Sequence, residues 1–318
     1  MEPHEPHADL DAPRALPALD PRSILIFREV GRTGSLTGAA QVLGWTQPAV
    51  SQHVRRLEAA AGVPLLAREG RGVVVTDAGR ALLRHADALA AALHDAEHEL
   101  ADHAHLRAGR VRIASFPSAS ATIAARAVSD LAERFPGIDL RLEQLEPPEA
   151  LRALEEGACD IAIVFEYDDG HVSVPADADR TPLAVDPLQI VLPPGHPLTA
   201  RAEIRLDDLA GEQWVTGCIS CRRHLLTSTS AAGFTPDIRH STDDYVVVQA
   251  LVATRMAVAV LPSLALRASR NPDVTVHPLA DHAPRRVSAI TRRSARSVPS
   301  VGAALAAIQR AAQALDAP

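Results

Sequence analysis

Apolar positions near the start of the chain recur at helical spacing. Ile24, Leu25, Phe27 and Val30 lie on one face of a helix that begins near Ser23, and the stretch from Gly31 to Gly34 should break it. Leu36, Ala39, Ala40 and Leu43 fall at i, i+3, i+4 and i+7, so a second helix follows with Ser35 as its cap. Gly44 and Trp45 form a tight turn. Thr46 is placed to cap a third helix over residues 47–60, where Pro48 sits in a first turn that needs no N–H from it. In that helix Val50, Val54, Leu57 and Ala61 face inward, while Gln47, Ser51, Gln52 and Arg55 face outward. Two extended pieces, Val63 to Ala67 and Val73 to Val75, flank the turn Arg68-Glu69-Gly70-Arg71-Gly72. The pattern predicts a helix-turn-helix with a β-wing. Gln and Arg on the open face are types that pair bidentately with adenine and guanine.

From Thr76 to about Arg107 the chain is rich in Ala and Leu and lacks Pro. Leu82, Leu83, Ala86, Leu89, Ala90, Leu93, Ala96 and Leu100 form a wide apolar stripe on one long helix. Such a stripe must bury against something, and a second copy of the chain is the simplest candidate. His94 and His98 stand at i, i+4, but two ligands fall short of a four-coordinate metal site, so solvated positions are expected. The run Arg107-Ala108-Gly109-Arg110 reads as a hinge.

Beyond it the pattern alternates. Strands are predicted at Val111 to Ala114, Ile138 to Leu145, Cys159 to Phe165, Gln189 to Leu192, Gln213 to Thr216, Asp237 to His240 and Val258 to Leu261. Helices are predicted at Ser118 to Arg134, Glu149 to Glu156, after Cys221, and at Asp244 to Thr254. The alternation implies an α/β body with parallel sheets. Ligands of such bodies sit at the carboxyl ends of the strands. Phe116, Ser118, Ala119 and Ser120 follow one strand, and Thr216, Gly217 and Cys218 follow another. Asp243 lies beside a helix start. For the serines, helix capping and ligand contact are equally reasonable roles; for Asp243 and Asp244 capping is favoured. Phe165 and Glu166 are weaker candidates. Arg222 and Arg223 could neutralise a carboxylate ligand, although a solvated face suits them better.

Composition narrows the picture. The 318 residues allow two or three compact units, and no apolar run approaches the roughly 20 residues that span a bilayer. Met1 to Asp20 is rich in Pro, His and acid, which suggests a disordered tail and no secretory signal, hence a cytoplasmic protein. The net charge is −7, yet between Pro21 and Val75 seven Arg oppose three Glu, giving +4 there and −11 elsewhere. A basic module on an acidic body suits nucleic acid. Three cysteines exclude a disulfide framework. Cys159 reads as a small core residue. The pair Cys218 and Cys221 admits three readings: a reduced pair at a helix start, a redox switch, or, with His224, a metal site lacking a fourth ligand. No nucleophile elbow, phosphate loop or paired metal motif supports an enzyme, and no cofactor or metal is expected.

The string Phe27, Gly34 to Ala40, Gln47 to Ser51, Leu57-Glu58, Gly62 to Arg68, Gly70 to Gly72 and Thr76 to Gly79 resembles, in order and spacing, the DNA-binding domain of LysR-type transcription regulators. Leu66 stands where that family usually has Phe. Looser likeness extends through Phe135-Pro136-Gly137-Ile138, Leu154 to Asp160 and Val258 to Pro262. The resemblance implies double-stranded DNA as partner, with Thr46, Gln47, Pro48, Ser51, Gln52, Arg55 and Arg56 at the major groove and Arg68 and Arg71 in the wing. It implies a winged helix-turn-helix at 21–78, a dimerisation helix at 79–107, and an effector-binding body at 110–318 of two lobes like those of periplasmic solute-binding proteins. Lobe I would comprise about 110–185 and 286–318, and lobe II about 186–285. A homodimer or homotetramer, a small-molecule effector and RNA polymerase are the partners it suggests. The alternatives are a thiol-redox input at Cys218 and Cys221, or an α/β ligand-binding protein or enzyme.

Overall fold

A computed structural model describes residues 19–69, 72–104, 109–168, 173–280 and 282–316. Residues 1–18 of the expected tail, Gly70, Arg71 and the Arg107-Ala108 half of the expected hinge lie outside the described residues, while Gly109 and Arg110 begin a strand. The chain divides into two compact units, residues 1–90 and 91–318.

The first unit opens with α1 (Pro21–Thr33), α2 (Leu36–Leu43) and α3 (Gln47–Ala61). Asp20 caps α1 by accepting from Arg22 N and Ser23 N. The helix runs through Gly31, which lies close against Leu83, and stops only at Gly34, whose φ of 62° ends it in the left-handed region. Ser35 Oγ accepts from Gly38 N and caps α2. Gly44, at φ 67°, lets the chain turn sharply into α3. Thr46 precedes α3 but makes no side-chain cap bond, unlike the expectation. Val50, Val54 and Leu57 are buried beneath it. The wing is β1 (Leu66–Glu69) paired antiparallel with β2 (Gly72–Val75). Glu58 anchors its start by accepting from Leu65 N and Leu66 N at 2.9 and 3.1 Å. Leu66 packs, half-buried, against both small cores of this unit.

The long helix α4 (Asp77–Ala104) begins with Thr76 accepting from Gly79 N. Gly79 is required there: a Cβ would stand 2.3 Å from Leu65 O and 2.6 Å from Val75 Cγ1. Ala78, Leu82 and Leu83 pack against Phe27, Leu57 and Leu65. That part of the apolar stripe is therefore covered within the chain; Leu93, further along, is 45% exposed.

In the second unit, β3 (Gly109–Ser115) leads into α5 (Pro117–Ala119), a π-helical turn (Ser120–Ala124) and α6 (Ala125–Arg134). Next come β4 (Ile138–Gln144), α7 (Pro147–Glu155), β5 (Ile161–Glu166) and β6 (Ala178–Asp186). The chain crosses to a second lobe with β7 (Leu188–Leu192), β8 (Gln213–Thr216), α8 (Ile219–Ala231) and β9 (Asp237–Ser241). That lobe is completed by α9 (Tyr245–Ala253), β10 (Ala259–Pro262), α10 (Ser263–Ala268) and β11 (Thr275–Pro278). The chain then returns through β12 (Arg285–Arg292) and α11 (Pro299–Asp316).

Lobe I is a five-stranded sheet in the order β4-β3-β5-β12-β6. Its β3, β4 and β5 are parallel, whereas β12 pairs antiparallel with both neighbours. Lobe II holds the antiparallel set β10-β7-β11 and the parallel pair β8-β9. The sheets are mixed, where the alternation predicted parallel ones. The reason is the double crossing: a strand that returns from lobe II enters the first sheet from the opposite direction.

A polar cluster braces lobe I. His94 Nε2 lies 3.0 Å from Asp160 Oδ1, and Arg112 also reaches both groups, so His94 is a packed position and not a solvated one. Burial would raise Asp160, but the bonds from His94 and the Arg112 backbone hold its carboxyl below the usual range. His98 has no described side chain. Cys159 is buried, and burial pushes its thiol up to about 12, so it serves as the expected core residue.

Candidate functional site

The first site is the open face of α3. Thr46, Gln47, Pro48, Gln52, Arg55 and Arg56 are exposed, and Ser51 is half-buried. These residues share one side of the helix because Val50, Val54 and Leu57 take the other. Arg55 Nε donates to Ser51 O within the helix at 3.3 Å, while the side chains of Gln47 and Gln52 make no hydrogen bond among the described residues. Nearby, Arg22 lies over the Trp45 ring at 4.8 Å. A polar, cationic helix face whose amides have no internal partner is suited to an external one. Arg68 lies in β1, though its side chain is outside the described set, as is Arg71 altogether.

The second site is the cleft between the lobes of the second unit. Its walls come from strand ends: Glu146 after β4, Phe165 and Tyr167 at the end of β5, Thr216, Gly217 and Cys218 after β8, and Thr242 and Asp243 after β9. The first turns of α8 and α9 add Cys221, His224 and Tyr245. The free volume is about 40 Å³, room for about three waters if each needs roughly 10–15 Å³. The lobes therefore stand nearly closed.

Of the expected ligand residues, Thr216, Gly217, Cys218 and Asp243 line this cleft. Phe116, Ser118, Ala119 and Ser120 do not, and each has a structural occupation instead. Phe116 and Ala119 are fully buried in the lobe I core. Ser120 Oγ donates to Ser115 O at 3.0 Å. Ser118 Oγ accepts from Arg285 Nη2 at 2.7 Å. Arg285 lies at the second lobe crossing and Asp186 at the first, and they are register partners in the sheet. Arg285 Nε donates to Asp186 Oδ2 at 2.8 Å, and Leu264 N donates to Oδ1 at 3.0 Å. Both side chains are 1% exposed. The guanidinium lies 4.9 Å from the Phe116 ring and 4.5 Å from that of Phe165. Burial disfavours its charge, but Asp186 beside it outweighs that and holds Arg285 protonated. The serine that seemed ligand-facing thus helps lock the hinge. Glu166 pairs with Arg180 and also faces away from the cleft wall.

Sequence reasoning missed Glu146, Tyr167, Tyr245 and His282, and considered His224 only as a metal ligand. Glu146 stands between a strand end and Pro147, the same signal that singled out residues 116–120. The ring of Tyr167 stacks on His224 at 3.8 Å and 4°. His224 Nε2 meets His282 Nε2 at 2.7 Å, so one ring donates and the other accepts. Nothing local in the sequence marks that pairing. Asp244 caps α9 by accepting from Val246 N, and Arg222 and Arg223 are exposed outside the cleft.

The CxxC pair straddles the start of α8, which begins at Ile219 and not after Cys221. Cys218 is the cap residue, and its Sγ accepts from Cys221 N. The two sulfurs are 3.0 Å apart, with Cys218 donating. Tyr167 Oη also donates to Cys221 Sγ, at 3.5 Å, and so bridges the lobes. Donation from Cys218 favours the thiolate of Cys221 and lowers its pKa; the same bond, with burial, raises Cys218. Burial likewise raises Tyr245 to about 12. Among the described residues no group of three or more His, Cys, Asp or Glu is placed to hold a metal ion.

A winged helix-turn-helix followed by a two-lobed α/β body with a central cleft defines a class of chains in which a helix-turn-helix module is joined to a substrate-binding domain. The model of the bacterial regulatory helix-turn-helix protein, lysR family, matches residues 21–80, and that of the LysR substrate binding domain matches residues 104–313. The chain belongs to the LysR family. Among curated relatives, the HTH-type transcriptional regulator CbbR of Rhodospirillum rubrum is 34% identical over 205 residues, 64% of each chain. The RuBisCO operon transcriptional regulator of Allochromatium vinosum is 32% identical, over 61% of this chain and 62% of that one. The matches thus span a little under two thirds of these relatives' length. A small neutral protease regulatory protein of Streptomyces coelicolor is 33% identical over 79% of each chain. The fold is that of CbnR, a LysR family regulator, with a TM-score of 0.63 at 19% identity, covering 92% of this chain and 99% of that one. It is equally that of a full-length OxyR variant from Pseudomonas aeruginosa, with a TM-score of 0.66 at 20% identity and coverages of 93% and 95%. No described helix is long and apolar enough to cross a membrane.

Proposed function

We propose that the protein is a sequence-specific DNA-binding transcription regulator whose output is set by a small molecule in the interlobe cleft. The observation that carries this reading is the exposed polar face of α3, with the Gln47 and Gln52 amides uncommitted, within a module that matches the family's helix-turn-helix domain. Residues 21–78 would dock on DNA with Gln47, Pro48, Ser51, Gln52 and Arg55 at base edges. Arg56, Arg68 and Arg71 would hold the phosphates. Residues 79–107 would pair two copies, so that the dimer or a tetramer reads a dyad-symmetric site; CbnR has been solved with its target DNA.

The nearly closed cleft gives the effector its leverage. A ligand larger than a few waters must part the lobes about the Asp186–Arg285 hinge, and it shifts the population only by its preference for the open form. Such a change would re-space the DNA-binding units and alter DNA bending or contact with RNA polymerase, in the cytoplasm. The curated relatives are named as transcriptional regulators, and a LysR substrate binding domain matches residues 104–313, which favours the effector reading over redox input at Cys218 and Cys221. Selection of bound duplexes from a random-sequence pool by the full-length protein tests the proposal. Convergence on a dyad with half-sites one or more helical turns apart is expected. A pool that stays random while binding only in low salt would contradict it.

A further inference from the structure

The polar inventory of the cleft says which charge its ligand carries. The ionisable carboxyl groups on its wall are Glu146 and Asp243, and no Arg stands among the lining residues; the chain contains no Lys. The nearest cation, Arg285, spends Nε and Nη2 on Asp186 and Ser118 and has both ring faces of the Phe116–Phe165 pair against it. A carboxylate entering the cleft would meet two like charges and a guanidinium already engaged.

Glu146 is the group left wanting. Its Oε2 is buried and has no hydrogen-bond partner. Asp243 and Glu149 add negative potential around it, and Arg285 offsets them in part. A buried acceptor without a donor is costly, and a ligand that supplies the donor recovers that cost. Beside Glu146 the flat Tyr167–His224 stack offers an apolar wall. We infer that the cleft selects a ligand that presents a cationic N–H donor, an ammonium or amidinium group, to Glu146 and lays a flat apolar portion on Tyr167 and His224, and that it rejects carboxylates. This rests on the reading of the cleft as the effector site. It departs from the carboxylate ligand that Arg222 and Arg223 could have neutralised.

The cleft carries its own reporters. Full-length reduced protein is treated with a cationic methanethiosulfonate, the trimethylammonium-ethyl reagent, and separately with the anionic sulfonatoethyl reagent. In either case a thiolate of Cys218 or Cys221 attacks the reagent's sulfenyl sulfur, a mixed disulfide forms and methanesulfinate leaves. Rates at each cysteine are read by mass spectrometry and divided by the rates on free cysteine, which leaves the electrostatic preference of the cleft alone. The cationic reagent should be favoured by about tenfold, the lower end of the enhancement that clefts of one sign produce, and Glu146→Gln should bring the ratio close to one. Arg285 biases Cys221 toward anions, so a cation preference cannot come from it. An anionic reagent that reacts as fast or faster overturns the inference, as does an unchanged ratio in Glu146→Gln. Absence of labelling at both cysteines, while free cysteine reacts fully, overturns it too, and with it the reading of this cleft as ligand space. A protein that selects DNA from the random pool yet favours the anionic reagent loses only the inference about charge.

Discussion

The face of α3 and the cleft of the second unit are both polar surfaces, and they spend their polar groups in opposite ways. On α3, Gln47 and Gln52 keep their amides for an outside partner, and water satisfies them meanwhile. Around the cleft the polar groups are committed: behind its wall Ser118 serves Arg285 and Ser120 serves the backbone, and on the wall Cys218 caps a helix. Among the groups on its wall, one buried carboxylate oxygen, Glu146 Oε2, is left without a partner, beside an aromatic stack. The contrast separates two design problems. A surface that reads a large polar partner must stay uncommitted. A cleft that transmits a signal must be tied to a hinge, and the tie consumes the very groups that seem suited to ligand.

The comparison can be broken most forcefully at the hinge. Asp186→Ala leaves the Arg285 guanidinium buried without its carboxylate and Leu264 N without an acceptor. A loss of about 3–5 kcal/mol is expected in denaturant unfolding of the second unit, and Asp186→Leu with Arg285→Met should recover most of it. A single-variant loss near zero would mean the pair is not the brace described here.

On the reading face the expectation is reversed: function falls while stability holds. Arg55→Ala should cost about 1–3 kcal/mol of specific DNA binding, measured by competition gel shift, with the melting temperature unchanged. An equal loss on specific and random DNA would reassign Arg55 to the phosphates.

The cleft should respond to pH in a way that α3 does not. Burial raises Glu146, with Asp243 and Glu149 adding to the shift and Cys218 and Arg285 opposing it. Cation preference needs the ionised form, so it is complete above the raised pKa and vanishes as the pH falls through it. The reagent ratio should therefore collapse toward one at a pH above about 4.3, where an unperturbed glutamate titrates. A ratio constant down to that pH would show that Glu146 does not carry the preference.

The smallest contrast concerns two caps. Ser35→Ala removes a bond to Gly38 N and should cost about 1 kcal/mol. Thr46→Ala removes no cap bond and should cost less than about 0.5 kcal/mol. Thermal melts of the two variants check the difference, which would disappear if Thr46 capped α3 in solution.

These same elements show what the sequence could reveal. The DNA-binding unit is local: α2 spans Leu36 to Leu43, as its apolar spacing predicts, and α3 extends only one residue beyond its predicted end. Its outward residues follow from helical periodicity alone. The cleft is assembled from distant pieces. Ser118 and Arg285 are 167 positions apart, and no local pattern tells a serine after a strand that a guanidinium will claim it. The antiparallel entry of β12 depends on the chain leaving lobe I and returning, which periodicity does not encode. The coverage of Ala78, Leu82 and Leu83 by the first unit was hidden for the same reason, since an apolar stripe shows that burial is needed and not by what. Glu146 was within reach: it follows β4 as Phe116 follows β3, and strand-end reasoning applied evenly would have found it.

The central claim, that the open face of α3 reads base sequence, meets its most direct test in the random-pool selection repeated with Gln52→Ala. The account predicts a dyad motif that keeps its spacing and symmetry but loses preference at one position in each half-site. A motif identical to that of the unaltered protein would contradict it.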